Sequence, residues 1–192
     1  MRPRDETKVE RIKNKAIEMI AKEGLEGFGV NKLAAKVGLS VGTIYVYFKN
    51  KKEILTILCY EVSTRILTAS TKGLEPDMDF KKGMKLQWEN RYEFYRRYPM
   101  EVEFIERIRY TSIYKSIEGK LTDKYGKLLG SFIKTAEKNG QLAKMPFEVY
   151  WSLAFAPLYQ LINFNINTVK GCKINKELFE LTFKQVLKGL MP

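Results

Sequence analysis

The side chains best suited to contact another molecule lie in one short segment within the first third of the chain. Thr43 and Tyr45 carry hydroxyl groups that can reach phosphates or base edges. Val41 or Val46 could contact the methyl group of a thymine. Gly42 has no side chain to keep the first amides of a helix away from a phosphate. Presented outward, these residues would contact DNA in its major groove.

Lysines follow this segment directly. Lys49, Lys51 and Lys52 surround the predicted start of the next helix and are suited to phosphate contact. A helix is predicted to start there because Asn50 and Glu53 have the spacing of a capping box, with asparagine in the cap position. The combination favours binding to a nucleic acid.

Two short helices around a tight turn must position these residues. The first, about Val30–Val37, has apolar residues at helical spacing. It ends before Gly38, because glycine adopts the left-handed conformation at least cost. Ser40 then stands at the N-cap of a second helix, about Val41–Tyr47.

The outward side of the second helix follows from its apolar spacing. Ile44 and Phe48 are four residues apart and would share the buried side. Gly42 and Val46 would then point away from the core, with the two hydroxyl residues beside them.

The residues that define this segment are Leu33-Ala34, Gly38-Leu39-Ser40, Gly42-Thr43-Ile44-Tyr45, Tyr47-Phe48, Asn50-Lys51 and, upstream, Gly24-Leu25-Glu26-Gly27-Phe28. Over about residues 8 to 60, the chain resembles the N-terminal domain of tetracycline-repressor-type (TetR family) regulators. The resemblance implies DNA binding by the following residues: Val30, Asn31, Val41, Gly42, Thr43, Tyr45, Val46, Tyr47, Lys49 and Lys51.

Three positions depart from the family pattern. Gly29 stands where a hydroxyl residue usually caps the first short helix, Val41 where a polar or basic residue is frequent, and Tyr47 where histidine is frequent. The resemblance therefore implies DNA binding without implying a base preference.

The net charge of +12 on 192 residues favours an acidic polymer as partner. Residues 1–60 carry 12 basic and 7 acidic groups, and residues 80–145 carry 15 basic and 8 acidic groups. The positive charge therefore supports DNA binding without locating it. Arg2 and Arg4 could form an arm that reaches the minor groove, although such termini are more often disordered.

The absence of histidine from the sequence removes Ser-His and Cys-His nucleophilic pairs and the usual zinc ligand sets. Cys59 and Cys172 fit no metal or redox motif and are expected to be reduced, buried thiols. We therefore expect no cofactor, no metal and no enzymatic activity. The N-terminus lacks the apolar core of a signal peptide, which predicts a cytoplasmic protein.

The remaining pattern predicts an all-α protein of about nine helices. A first helix, about Glu6–Glu23, would stop at Gly24, and a long helix would run from Lys51 to about Thr71. The clearest break is residues 72–79. We therefore predict a helix-turn-helix domain at residues 1–55, with a linking helix to about residue 71. Residues 72–192 would form a C-terminal helical domain for effector binding and dimerisation.

Residues 147–169 are apolar on nearly all sides but are interrupted by Pro157 and several amides, unlike a membrane span. Such a helix is buried, either in the core of its own chain or at a subunit interface. With the last helix, which Asn175 would cap, it could form half of a four-helix bundle between two copies. The resemblance also implies a homodimer.

An effector pocket within the C-terminal helices is a further implication of the resemblance. Its candidate lining residues are aromatic: Trp88, Tyr92, Phe104, Tyr110, Phe155 and Tyr159. Aromatic residues at helical spacing are more often core. Four nearby glutamates, Glu89, Glu93, Glu103 and Glu106, would favour a cationic ligand if they faced the pocket. A solvated helix face explains them equally well.

The function implied is that of a dimeric, sequence-specific transcription regulator. It would bind a near-palindromic operator and act as a repressor released by a small-molecule effector. The alternative is a helical protein that binds nucleic acid non-specifically through its positive charge.

Overall fold

The computed structural model describes residues 6–167 and 174–192, and within these ranges the chain forms nine α-helices and no strand. The helices are α1 (Glu6–Gly27), α2 (Val30–Val37), α3 (Val41–Tyr47), α4 (Lys51–Ser70), α5 (Phe80–Arg97), α6 (Pro99–Ile108), α7 (Ser112–Lys138), α8 (Phe147–Asn167) and α9 (Lys176–Leu190). The all-α prediction is confirmed. The predicted basic arm at Arg2 and Arg4 and the second thiol, Cys172, lie outside the described residues.

Glycines with positive φ angles interrupt α1 and end α2. Gly24 has φ 73°, and the helical path breaks there before one more turn carries α1 on to Gly27. Gly38 adopts the left-handed conformation with φ 64°, and its amide turns back to the last carbonyls of α2. The turn between α2 and α3 is therefore the one that the sequence predicts.

One compact unit contains the described residues up to Leu67 together with Tyr95–Lys124. Within it α1 packs against α2 and α6, and α2 packs against α3. Its fully buried side chains include Ile20, Leu33, Ile44, Leu58 and Phe104. Residues from α6 and the start of α7 thus complete the core beneath the helix-turn-helix. The functional division at residues 55 and 72 stays a prediction.

A second compact unit contains Thr68–Phe94 and the described residues from Tyr125 onward. Here α8 packs against α9, and Trp88 of α5 lies edge-on to Phe179 and Phe183 at 5.5 and 5.2 Å between ring centroids. Asp79 and Asn175 cap α5 and α9, their side chains accepting from the amides three residues later. Within the described residues, no helix combines the length and apolar character needed to cross a membrane.

Two aromatic residues of the first unit should respond very differently to truncation. Phe104 is fully buried in the core, whereas Tyr110 is 91% exposed in the turn after α6. We expect Phe104→Ala to lower the free energy of unfolding by about 3–5 kcal/mol, because it leaves a cavity. Tyr110→Ala should change it by less than about 0.5 kcal/mol. Urea unfolding at one fixed protein concentration measures both, and equal values would contradict this packing.

Candidate functional site

The start of α3 is held by Ser40. The Ser40 hydroxyl accepts a hydrogen bond from the Thr43 amide at 3.1 Å and lies 2.9 Å from the Thr43 hydroxyl. This contact satisfies one of the amides that a helix start leaves without a partner, and it fixes the first turn of α3. The Thr43 hydroxyl is thus held beside the helix start, and Thr43 is half-buried.

The outward side of α3 is the one that its spacing predicts. Ile44 and Phe48 are buried, whereas Tyr45 is 47% exposed and Val46 is 78% exposed. Gly42 is also exposed, and a Cβ built on it would meet only the Ser40 hydroxyl, at 3.8 Å. Gly42, Tyr45 and Val46 therefore form an open surface, which we call the α3 face.

The other candidate residues around α3 differ in how far their side chains are exposed. Asn31 is exposed on the first turn of α2, but the side chain of Val30 is buried in the core. Val41 and Tyr47 are half-buried and pack against the same core. Val30 could therefore contribute only main-chain atoms to a contact with DNA.

The lysines after α3 differ in what their ammonium groups contact. Lys49, Lys51 and Lys52 are all exposed. The Lys51 ammonium donates to the carbonyl oxygen of Phe28 at 2.6 Å and lies 5.5 Å from the centre of the Phe28 ring. Lys51 therefore helps to hold α4 to the end of α1, so Lys49 and Lys52 are better placed for phosphate contact.

The predicted cap of α4 forms with one difference. The Asn50 side chain accepts from the Glu53 amide at 2.9 Å, as a capping box requires. The Glu53 carboxylate accepts from the amide of Lys49, one residue before the cap. This hydrogen bond fixes the backbone between α3 and α4. Lys49 lies in this segment, and Lys52 lies in the first turn of α4.

Part of the positive charge of the first unit is neutralised by two carboxylates of α1. Glu18 contacts the ammonium groups of Lys15 and Lys22, which hold the pKa of its carboxyl down to about 2. Glu23 contacts Lys36, which likewise lowers the pKa of Glu23. These lysines are less available to DNA than Lys49 and Lys52.

The six aromatic residues predicted to line a ligand pocket are not all brought together. Phe104 and Tyr110 belong to the first unit, one in its core and the other exposed. The other four lie in the second unit, on α5 and α8: Trp88, Tyr92, Phe155 and Tyr159. Trp88 donates from its ring nitrogen to the carbonyl oxygen of Ala154 at 2.7 Å, which joins α5 to α8.

Arg91 and Gln87 were not singled out by the sequence pattern, yet both are buried among these aromatic residues. The guanidinium carbon of Arg91 lies 4.1 Å from the centre of the Phe155 ring, and its Nη1 donates to the Tyr159 hydroxyl at 3.0 Å. Gln87 is fully buried one turn earlier on α5. Their helical spacing from Met84 and Trp88 could have indicated burial, but three arginines between residues 91 and 97 suggest a solvated helix face.

None of the four glutamates near these aromatic residues is buried. Glu103 and Glu106 form ion pairs with Arg107 and Arg109 on the first unit, at 3.0 and 2.7 Å. Glu89 is exposed. Glu89 and Glu93 line an open groove of about 460 Å³ on the second unit. The solvated-face interpretation therefore describes these carboxylates better than a buried acidic pocket.

Comparison with known proteins agrees with this geometry. Residues 12–56 match the family model described as bacterial regulatory proteins, tetR family. An uncharacterized HTH-type transcriptional regulator of Haemophilus influenzae is 26% identical over 145 residues, which cover 76% of each chain. The helix-turn-helix domain of this chain belongs to the TetR family. The Bacillus subtilis fatty acid metabolism regulator protein is 48% identical to it over 46 residues, only 24% of either chain.

The TetR-family fold extends over the whole chain. A TetR family transcription regulator from Marinobacter aquaeolei has a TM-score of 0.86 at 22% identity, covering 100% of this chain and 99% of its own. At this identity the likeness shows the fold alone. The family assigns the helix-turn-helix of α2 and α3 to DNA binding, so the α3 face and the nearby lysines are the candidate nucleic-acid interface.

Proposed function

We propose that this TetR-family chain is a cytoplasmic, homodimeric transcription repressor that binds a near-palindromic operator and is released by a small-molecule effector. The observation that carries the proposal is the α3 face, where Gly42, Tyr45 and Val46 lie outside a core formed by Ile44 and Phe48. A helix presented in this way can enter a major groove. Two such helices related by a twofold axis would contact two half-sites.

Dimerisation is supported by an exposed apolar row on α8. Val149, Leu153, Ala156 and Phe164 recur at helical spacing and are exposed. On α9, Leu181 is exposed as well. An exposed apolar row on a helix that packs against a second helix is suited to a four-helix bundle formed by two copies.

Effector control is supported by the second unit, in which α5 and α8 enclose an aromatic cluster with a buried cation. Helices α4, α5 and α7 each contribute residues to both compact units, so a ligand that shifts α5 would act on a helix that continues beyond its own unit. A coupling free energy of ~1–3 kcal/mol between effector and operator is enough to change operator occupancy several-fold.

The experiment that tests this function is a selection of bound duplexes from random DNA by the purified chain. We expect a near-palindromic sequence whose half-sites are about one helical turn apart. Recovery of duplexes with no common sequence would instead favour the alternative, non-specific binding through positive charge. The positive groups outside the first 60 residues make that alternative worth testing.

Tyr45→Ala should weaken binding to the selected operator by about 5- to 150-fold, which corresponds to losing a base contact worth ~1–3 kcal/mol. Tyr45 is exposed, so the variant should keep the stability of the parent. Titration of labelled operator at fixed salt measures the affinity. Tyr110→Ala, which removes a still more exposed tyrosine outside α3, is the matched control and should bind like the parent. Equal affinities of all three proteins would refute the role given to α3.

A further inference from the structure

Arg91 is a buried cation whose charge is unbalanced among the described residues. It is 4% exposed, and its Nη1 donates to the Tyr159 hydroxyl. No described carboxylate forms an ion pair with it, and its Nε and Nη2 have no hydrogen-bond partner in the described part of the chain. Arginine remains protonated in proteins, so Arg91 cannot avoid this cost by losing its proton.

The two nitrogens without a partner lie on the same edge of the planar guanidinium group. Nε–H and one Nη2–H of an arginine point side by side, and this edge matches the two oxygens of a carboxylate. Two aromatic rings lie against the guanidinium group, whose central carbon is 4.1 Å from the Phe155 centroid and 5.4 Å from the Trp151 centroid. The edge suited to an anion is thus enclosed beside aromatic rings, and no described residue accepts a hydrogen bond from it.

Gln87 adds a second polar group without a partner on the same side of α5. It precedes Arg91 by four residues, so the two side chains are neighbours on one helix face. Gln87 is fully buried, and neither its Nε2 nor its Oε1 has a hydrogen-bond partner among the described residues. Buried side-chain amides and guanidinium groups are normally satisfied, because desolvation without a hydrogen bond is costly. Two such groups one turn apart indicate a site for a ligand.

The residues around the pair suit the apolar body of a ligand and do not repel an anion. Trp88, Trp151 and Phe155 line this region of α5 and α8. The hydroxyl of Tyr150 is buried, and burial raises its pKa, so it stays neutral. Glu89 and Glu93 are two residues from Arg91 along α5 and therefore lie on other sides of that helix.

We propose that Gln87 and Arg91 bind the carboxylate of a small organic acid with an aromatic or aliphatic body. The Arg91 edge would donate two parallel hydrogen bonds to the carboxylate oxygens, and the Gln87 amide would donate a third. The acid is the effector of the repressor, so this inference rests on the proposed function. It assigns an anionic ligand where the sequence left the charge of the ligand open.

Isothermal calorimetry on the full chain without DNA tests the inference. The probes are the straight-chain carboxylates from butanoate to decanoate, 3-phenylpropanoate, 3-phenylpropanamide, 3-phenylpropylamine and inorganic phosphate. We expect at least one carboxylate to bind at least tenfold more tightly than the amide, the amine and phosphate. Equal or better binding of the amide, the amine or phosphate would overturn the proposal, and so would an absence of binding by every carboxylate.

Variants of Arg91 separate binding of the anion from burial of the ligand body. Arg91→Met should weaken the preferred carboxylate at least 30-fold while leaving the folded state at least as stable in thermal unfolding, because it removes an unpaired buried charge. Arg91→Lys keeps the charge but loses the edge with two nitrogen donors. It should weaken binding of the carboxylate at least fivefold. Lys81→Met removes an exposed cation of the same helix and should bind the acid like the parent.

The assignment would be refuted if Lys81→Met lost acid binding to the same degree as Arg91→Met. It would also be refuted if Arg91→Met still bound the acid. Operator binding is measured separately, so the two proposals can fail independently. A chain that binds the acid but no specific DNA would contradict the repressor, and a chain that binds its operator but no acid would contradict the site.

Discussion

Gly42→Glu is expected to abolish operator binding without destabilising the protein. Gly42 lies in the first turn of α3, and a Cβ there would meet nothing closer than the Ser40 hydroxyl at 3.8 Å. Replacing a helical glycine stabilises a helix by about 0.5–1 kcal/mol, and an acidic group near a helix start adds a few tenths of a kcal/mol. The same carboxylate would face phosphates if α3 entered a groove. Opposed like charges cost several kcal/mol, so the operator affinity should fall about 100-fold or more.

The matched control for this variant is Gly119→Glu. Gly119 lies within α7, in the first compact unit, and a Cβ there would also meet nothing within 4 Å. The two variants change the net charge equally and relieve the same conformational cost, but only one of them alters the α3 face. Thermal unfolding and operator titration at one salt concentration should therefore separate them. Comparable operator affinities for both would remove α3 from the interface.

Replacing Gly42 is expected to raise the stability of the fold and to lower the affinity for the operator. This difference explains why a glycine occupies a helical position where it lowers stability. Nothing in the fold of the free chain requires Gly42, since its surroundings are open. A close approach of the α3 backbone to another molecule would require it. A Gly42→Ala variant should accordingly be more stable than the parent and bind the operator more weakly.

The helix-turn-helix could be predicted from the sequence because each of its determinants acts within a few residues. Gly38 needs only its own left-handed angle, and Ser40 needs only the amide three residues later. The exposure of Val46 and the burial of Ile44 follow from helical spacing alone. Local geometry of this kind does not depend on the rest of the fold.

The candidate ligand residues were harder to predict because their surroundings come from distant parts of the chain. Phe104 and Trp88 have similar sequence contexts, yet they lie in the cores of different units. Arg91 follows the apolar spacing of α5, but a charged residue in such a row is usually solvated at its tip. Only the packing of α8, more than 50 residues later, shows that its guanidinium group is enclosed.

Lys51 illustrates the same difficulty within the helix-turn-helix. Its place beside Lys49 and Lys52 suggests phosphate contact, and nothing in the sequence indicates that its ammonium group contacts the protein instead. The chain folds so that the carbonyl oxygen of Phe28 accepts from the Lys51 ammonium. A residue 23 positions away therefore decides which of the lysines is held against the protein.

Leu153→Glu is expected to dissociate the proposed dimer. Leu153 lies in the exposed apolar row of α8, where a twofold-related copy would cover it. Covering an unpaired charge costs ~3–5 kcal/mol, so the dissociation constant of the dimer should rise at least about 100-fold. The charge would remain solvated in the monomer, so the fold of one chain should survive. Operator affinity should fall as well, because a single chain can contact only one half-site.

Sedimentation over a range of concentrations measures this change, with Met100→Glu as the control. Met100 and Leu153 are both 39% exposed, but Met100 lies in the first turn of α6 in the other compact unit, far along the chain from α8. Its substitution adds the same charge and should leave the mass of the assembly unchanged. A parent chain that sediments as a monomer at every concentration would exclude the dimer. If the parent is a dimer and Leu153→Glu leaves it intact, the dimer must form through a surface other than the apolar row of α8. Binding to a palindromic operator would still need two copies of the α3 face.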